Sequence, residues 1–317
     1  MTGYLLRRLG QSIVVLLGVT LIAFLLQHLL PGSVARAIIG TRATSQQVAA
    51  FNREYGLDRA LPIQYLSLLN QLLHGNLGYS FKLGQSVDSI VAVDLPKDGI
   101  LVGTSTVLAL LIAVPAGLIQ AVRRNKFTDY SLTAVSFILY SMPAYLLGLI
   151  LIATIAIDAR LLPSEAPQEA TVSGILSHPS GLLLPIATLT LVTYALFSRY
   201  MRSSAIENLA QDYIRTARAK GLRQIRVVLR HLLPNSLIPV ITIVGLSLPG
   251  ILTSGLIIEA VFNFPGIGLE YYNAAISEDY PVEIGITVLV GLFVVVGNLL
   301  ADVAYAVLDP RVRYAKS

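Results

Sequence analysis

Apolar and polar positions alternate along this chain in blocks, with six long apolar runs at residues 9–30, 100–122, 130–157, 182–200, 237–258 and 284–308. The first has 22 residues, and a helix rising about 1.5 Å per residue needs roughly 20 to cross a hydrocarbon core. That is longer than the apolar core of a signal peptide, so the run reads as an uncleaved first helix that Pro31 and Gly32 end. Residues 32–99 break the pattern and read as a small helical cap. Thr44 followed by Gln47 is a capping box, and Gly56 is the stop that matches it. Pro62 opens a second helix that Gly75 closes, with Leu66, Leu69, Leu72 and Leu73 as a stripe that packs on its neighbours. A third amphipathic piece covers 87–95. The expected fold class is all-α and integral to the membrane, with six transmembrane helices. Residues 1–31 form the lead and helix 1, residues 32–99 an external cap between helices 1 and 2, and residues 100–317 the core, whose polar loop is 201–235.

Composition supports a bilayer environment: 55% of residues are hydrophobic and 13% are charged, with a mean hydropathy of +0.71, too apolar for a soluble globule. A net charge of +5 would suit nucleic acid, but the 23 Lys and Arg residues are distributed by loop rather than on one face. Sixteen of them fall at Arg7 and Arg8, at Arg123, Arg124 and Lys126, in residues 198–235, and at Arg311, Arg313 and Lys316. Loops rich in Lys and Arg stay in the cytoplasm, so both termini are expected there and the cap outside. Pro115, Pro143, Pro185 and Pro249 lie inside the runs, with Gly117, Gly148 and Gly250 nearby, and mark kinks. Gly99 and Gly103 form a single GxxxG.

Catalytic chemistry is not written in the chain. No G-x-x-x-x-G-K-[ST] loop is present to hold a nucleotide, and no H-E-x-x-H or G-x-S-x-G occurs. His28, His74, His178 and His231 are scattered, and there is no cysteine. Ionisable residues within the runs are few: His28, which reads as a capping or packing residue, Asp302, which reads as a structural pair near Arg311, and Glu259 and Glu283 toward the ends. A proton-coupled secondary transporter, which would use such acids, remains an alternative.

The polar stretch at 212–221 stands out: Asp212, Tyr213, Ile214, Arg215, Thr216, Ala217, Arg218, Ala219, Lys220, Gly221. Good helix formers run up to a glycine able to take the left-handed conformation that closes a helix. A solvated basic loop that only sets topology would carry the same charge. The spacing says more. It resembles the EAA loop of binding-protein-dependent ABC importer permeases, with Ala217, Gly221, Leu233 and Pro234 in register, Arg215 where the pattern has Glu, and His231 where it has Ile. The wording is similar to the dipeptide, oligopeptide and nickel branch, whose acid sits earlier, at Asp212. The likeness continues in Leu-Gly-Val-Thr and Leu-Leu-Pro-Gly, in Gly-Asn-Leu-Gly-Tyr-Ser at 75–80, in Val-Phe-Asn-Phe-Pro-Gly-Ile-Gly at 261–268, and in Asp279-Tyr280-Pro281. Lys97, Asp98 and Gly99 after Pro96 depart from it.

The resemblance implies a type I ABC importer (MetI-like) permease fold and a non-enzymatic transport subunit in the bacterial cytoplasmic membrane. Implied partners are membrane lipid, a homologous second permease, two ATPase domains and an extracytoplasmic substrate-binding protein. ATP and Mg would sit on the ATPase subunits, with no cofactor in this chain. Asp212, Tyr213, Arg215, Thr216, Ala217, Arg218, Ala219, Lys220 and Gly221 would form the coupling helix, the basic residues holding the ATPase groove and Ala217 and Ala219 allowing close approach. Di- or oligopeptides are the implied cargo, with nickel or glutathione as alternatives.

Overall fold

The computed structural model describes residues 2–29, 34–40 and 42–308. In chain order the helices are α1 (Thr2–Leu29), α2 (Val34–Ile39), α3 (Ser45–Glu54), α4 (Leu61–Leu73), α5 (Val87–Val122), α6 (Phe127–Ser141), α7 (Ala144–Leu151), α8 (Val172–Ser177), α9 (Pro179–Leu209), α10 (Asp212–Ala219), α11 (Gln224–Val227), α12 (Leu233–Phe262), α13 (Ile267–Ser277) and α14 (Tyr280–Leu308). Among the described residues five helices are long and apolar enough to cross a membrane, and two bent helix pairs could raise that to seven. The chain divides into two compact units: one joins the residues up to Lys97 with Pro265–Val296, the other joins Asp98–Phe264 with the described residues from Gly297 on.

In the first unit the cap forms much as its local signals direct. The Thr44 side chain accepts from the Gln47 amide at 3.3 Å while the Gln47 side chain accepts from the Thr44 amide at 2.8 Å. Gly56 and Gly75 take positive φ, at 69° and 78°, where the two cap helices stop. Helix α4 is held to α1 by polar side chains: the Tyr65 hydroxyl donates to the Leu17 carbonyl at 3.0 Å, and the His28 ring meets the Phe24 carbonyl at 2.8 Å and the Gln64 side chain at 3.3 Å. His28 is thus a packing residue. The leucine stripe is only half used, because Leu66 and Leu73 are 64% and 85% exposed.

Two features of this unit depart from expectation. A two-stranded antiparallel hairpin, Tyr79–Ser80 with Gln85–Ser86, interrupts an otherwise helical chain. It is tied down where the Ser80 hydroxyl donates to Asp279 at 2.5 Å and where Gly285 leaves no room for a Cβ beside Leu77 and Val87. The amphipathic piece at 87–95 is also no separate helix, since α5 runs unbroken for 36 residues through Pro96 and Gly99. Lys97 pairs with Asp94 at 2.6 Å one turn away, and both are buried. Neither Gly99 nor Gly103 has any atom within 4 Å of its would-be Cβ, so the GxxxG holds no described contact.

The second unit is built on α9, which packs along α12, α6 and α7. Leu101, Ala109, Leu189, Phe197, Ile251 and Phe264 belong to its core. Gly117 lets α5 approach α9 closely: a Cβ there would lie 2.6 Å from the Met201 Cβ and 2.9 Å from the Arg202 backbone nitrogen. Pro185 sits inside α9, and the Ser105 hydroxyl of α5 donates to the Ile186 carbonyl at 3.3 Å, a polar link between the two helices. The run at 130–157 is not one straight helix, because the chain turns by 106° between α6 and α7 at Pro143. A π-helical stretch, Ile152–Asp158, follows α7. The side chains of Pro249 and Asp302, and the whole of Arg311, lie outside the described residues.

Candidate coupling site

Helix α10 is short and begins without a side-chain cap on Gln211. Asp212 in its first turn and Arg218 in its last oppose the helix dipole in the favourable sense. The Thr216 hydroxyl donates back to the Asp212 carbonyl at 2.9 Å. Its end is sharp. Gly221 has φ +74°, its amide donates to the Arg218 carbonyl at 2.9 Å, and the Leu222 amide reaches the Ala217 carbonyl at 3.4 Å. Those two bonds are the Schellman pattern, which needs a residue at ease in the left-handed region.

The helix has two faces with different roles. Ile214 and Ala217, three residues apart and so on one face, are 0% and 4% exposed. They join Met201 and Ala205 of α9, Leu118 and Ala121 of α5, and Val227 of α11 in a single apolar cluster that Leu222 flanks. Asp212, Arg215, Thr216, Arg218, Ala219 and Lys220 are exposed, as is Gly221. The Arg215–Asp212 pair spans 3.5 Å with both side chains mostly in solvent, so each remains open to another partner. Ala217 therefore differs from the expectation placed on it: the close approach its small side chain allows is to this chain's own helices, whereas Ala219 lies on the open face.

A hydrogen-bond chain anchors this element. The Tyr213 hydroxyl donates to Asn208 at 2.5 Å, Asn208 donates to the Ser204 carbonyl at 2.9 Å, and the Ser204 hydroxyl donates to the Ser236 carbonyl at 3.0 Å. The chain links α10 to α9 and α12. Burial pushes the Tyr213 phenol above its ordinary pKa.

Some of the eight basic residues between 198 and 235 do not belong to the open surface. Arg202 binds Asp129 at two points, Nε to Oδ1 at 2.7 Å and Nη2 to Oδ2 at 2.9 Å. The Arg199 guanidinium lies 4.8 Å and 4.5 Å from the ring centroids of Phe137 and Tyr140, close enough for cation–π attraction. Charge counting missed both, because the partners are some 60 to 70 residues away on α6; only Asp129 beside Arg124 and Lys126 hinted at a pair. The Tyr213–Asn208 link carries no sequence signal. The i, i+3 spacing of Ile214 and Ala217 was the available sign of a buried face. Among the described residues no group of three or more His, Asp or Glu could hold a metal ion.

Comparison with known proteins decides the family. Residues 113–314 match the model for the binding-protein-dependent transport system inner membrane component, and residues 1–98 match its N-terminal companion. The chain belongs to this family of transport permeases. The permease is 36% identical to the oligopeptide transport system permease protein AppB of Bacillus subtilis, covering 99% of this chain and 100% of that one. It is 35% identical to the oligopeptide permease OppB of Salmonella typhimurium over the same shares, and 33% identical to the dipeptide permease DppB of Bacillus subtilis over 100% of this chain and 99% of the other. Among solved structures, a chain of the MetNI methionine ABC transporter in inward-facing form superposes with a TM-score of 0.57 at 18% identity, covering 69% of the permease and 96% of that chain. That likeness establishes the MetI-like type I importer fold. Such permeases are transport subunits, not enzymes, and membership sets aside the proton-driven secondary transporter.

Proposed function

We propose that this permease is one of two homologous subunits through which di- or oligopeptides cross the bacterial cytoplasmic membrane, driven by two partner ATPase domains and supplied by an external binding protein. In this reading the chain spans the membrane six times, the pair α6–α7 counting as one broken crossing, both termini are cytoplasmic and the cap faces outward. The peptide cargo is supported by full-length relatives at 33 to 36% identity that carry peptide names. Lipid surrounds the exposed apolar helix faces.

One observation carries the coupling role: α10 buries Ile214 and Ala217 in the core of its own unit while it turns Asp212, Arg215, Thr216, Arg218, Ala219 and Lys220 outward. A helix whose buried face shares one apolar cluster with α5, α9, α11 and α12, and whose other face is open, can act as a lever. Closure of the ATPases would move α10, and the packed core would pass the displacement to the long helices. Arg215, Arg218 and Lys220 supply donors for acidic or carbonyl groups of the ATPase, while Tyr213 and Gly221 hold the lever's shape.

The test is ATP-driven uptake of a labelled peptide by the complete complex in proteoliposomes. Gly221→Val places a β-branched residue at positive φ and should lower uptake while leaving the subunits associated. Full uptake by an intact Gly221→Val complex would remove the lever, and uptake of nickel or glutathione but no peptide would replace the cargo.

A further inference from the structure

The first unit contains a cavity of about 480 Å³, well within the size range of small-molecule sites. It is bordered by α1, α3, α4 and the hairpin. Four aromatic rings gather on its wall: Phe51 stacks on Tyr55 at 4.4 Å, and Phe81 meets Phe51, Tyr55 and Tyr79 edge-on at 5.6, 5.2 and 5.3 Å. Tyr55 and Tyr79 are nonetheless 49% and 47% exposed. A cluster of rings left half open to water differs from a core, where the same rings would be covered.

The polar lining is equally specific. Glu54 and Arg59 both line the cavity, and among the described residues neither is in an ion pair. The turn between them places them there. Gly56, at φ +69°, carries the chain around, and its missing side chain makes room for Arg59, whose Nε would lie 3.3 Å from a Cβ at this position. Gln64 braces the same turn, donating to the carbonyls of Leu57 at 3.0 Å and Arg59 at 2.7 Å. Gln27 and Gln71 also line the space, and among the described residues their side chains bond to no protein group. The space thus offers an anion, a cation, free amides and aromatic faces together.

We propose that this cavity is an outer subsite for short zwitterionic peptides, with the rings of Phe51, Tyr55 and Phe81 taking an aromatic or large apolar side chain, and with Arg59 and Glu54 meeting the terminal carboxylate and ammonium. The proposal rests on the peptide reading of the permease. A concave, mixed polar and aromatic space of this volume suits a small ligand better than the broad surface of a binding protein. It would hold peptide released at the outer face before the pathway opens, and bias uptake toward aromatic peptides.

The experiment uses the complete complex in proteoliposomes and a dipeptide containing p-benzoylphenylalanine. Irradiation should cross-link the peptide within residues 51–81. Tyr55→Ala should weaken the cross-link and raise KM about two- to tenfold with maximal rate unchanged, as expected for one aromatic contact, while Tyr55→Phe stays normal. Arg59→Gln should erase any preference for the free-acid dipeptide over its C-terminal amide, which a merely structural role would not do. Normal KM in Tyr55→Ala with no cross-link in 51–81, or cross-links confined to the binding protein, overturns the subsite while peptide transport stands. A complex that transports no peptide overturns the cargo reading, and the subsite with it.

Discussion

Arg202 grips Asp129 with two hydrogen bonds, at 2.7 and 2.9 Å, and so joins α9 to the start of α6. Asp129 is almost wholly buried and also accepts from the Asn125 amide at 3.0 Å and the Thr133 hydroxyl at 3.3 Å. Without Arg202 the buried carboxylate would keep those two bonds but lose its counter-charge and its two shortest hydrogen bonds. Arg202→Met should destabilise the permease by about 1.5–3 kcal/mol, the range for hydrogen bonds to charged groups. Thermal unfolding of the purified complex measures the loss. A Arg202→Met variant as stable as the parent would show that the pair contributes nothing net.

Ala217 and Ala219 are two residues apart and predict opposite results. Ala217→Leu forces a larger side chain among Met201, Ala205 and Leu118, and overpacking of that kind costs about 1–3 kcal/mol. Ala219→Leu meets only solvent in the isolated chain and should leave thermal stability unchanged, yet it should weaken retention of the ATPase during purification. Equal effects of both on stability would contradict the division of α10 into an anchored and an open face.

Gly221 is required by backbone conformation, since its Cβ would meet no atom within 4 Å. An L-residue in the left-handed region costs about 1–2 kcal/mol, with Asn the best tolerated replacement. Uptake should fall in the order Gly221, Asn, Ala, Val. If Ala and Val transport as well as Gly, the Schellman end of α10 is not needed for coupling.

Tyr213→Phe removes the donor to Asn208 and keeps the ring. The loss of one such bond should speed amide exchange in α10 about two- to tenfold, the factor that corresponds to a typical net hydrogen bond. Hydrogen-exchange mass spectrometry of peptides covering residues 212–221 reads this directly, and unchanged rates would mean that Ile214 and Ala217 alone hold the helix.

Much of the fold was legible in residues close together in the chain. The capping box at Thr44 and Gln47, the stops at Gly56, Gly75 and Gly221, and the lengths of the apolar runs are settled within a turn or two of backbone, where hydrogen-bond needs and hydrophobic period act directly. The break at Pro143 was marked as a kink, but its size of 106° follows from what packs on either side. The piece at 87–95 and the run from residue 100 looked like separate helices, yet α5 joins them through Pro96 and Gly99 despite the weak helix propensity of both.

For the coupling element the division is the same. Composition and spacing are enough to say that residues 212–221 form a short basic helix ended by glycine, because helix propensity and the left-handed stop are local properties. Which residues of that helix remain open to a partner is decided by distant segments: Met201, Ala205 and Leu118 bury Ile214 and Ala217, and Asp129 takes Arg202 out of the loop's free charge. Burial and ion pairing depend on which segments meet in space, and only the tertiary structure brings them together.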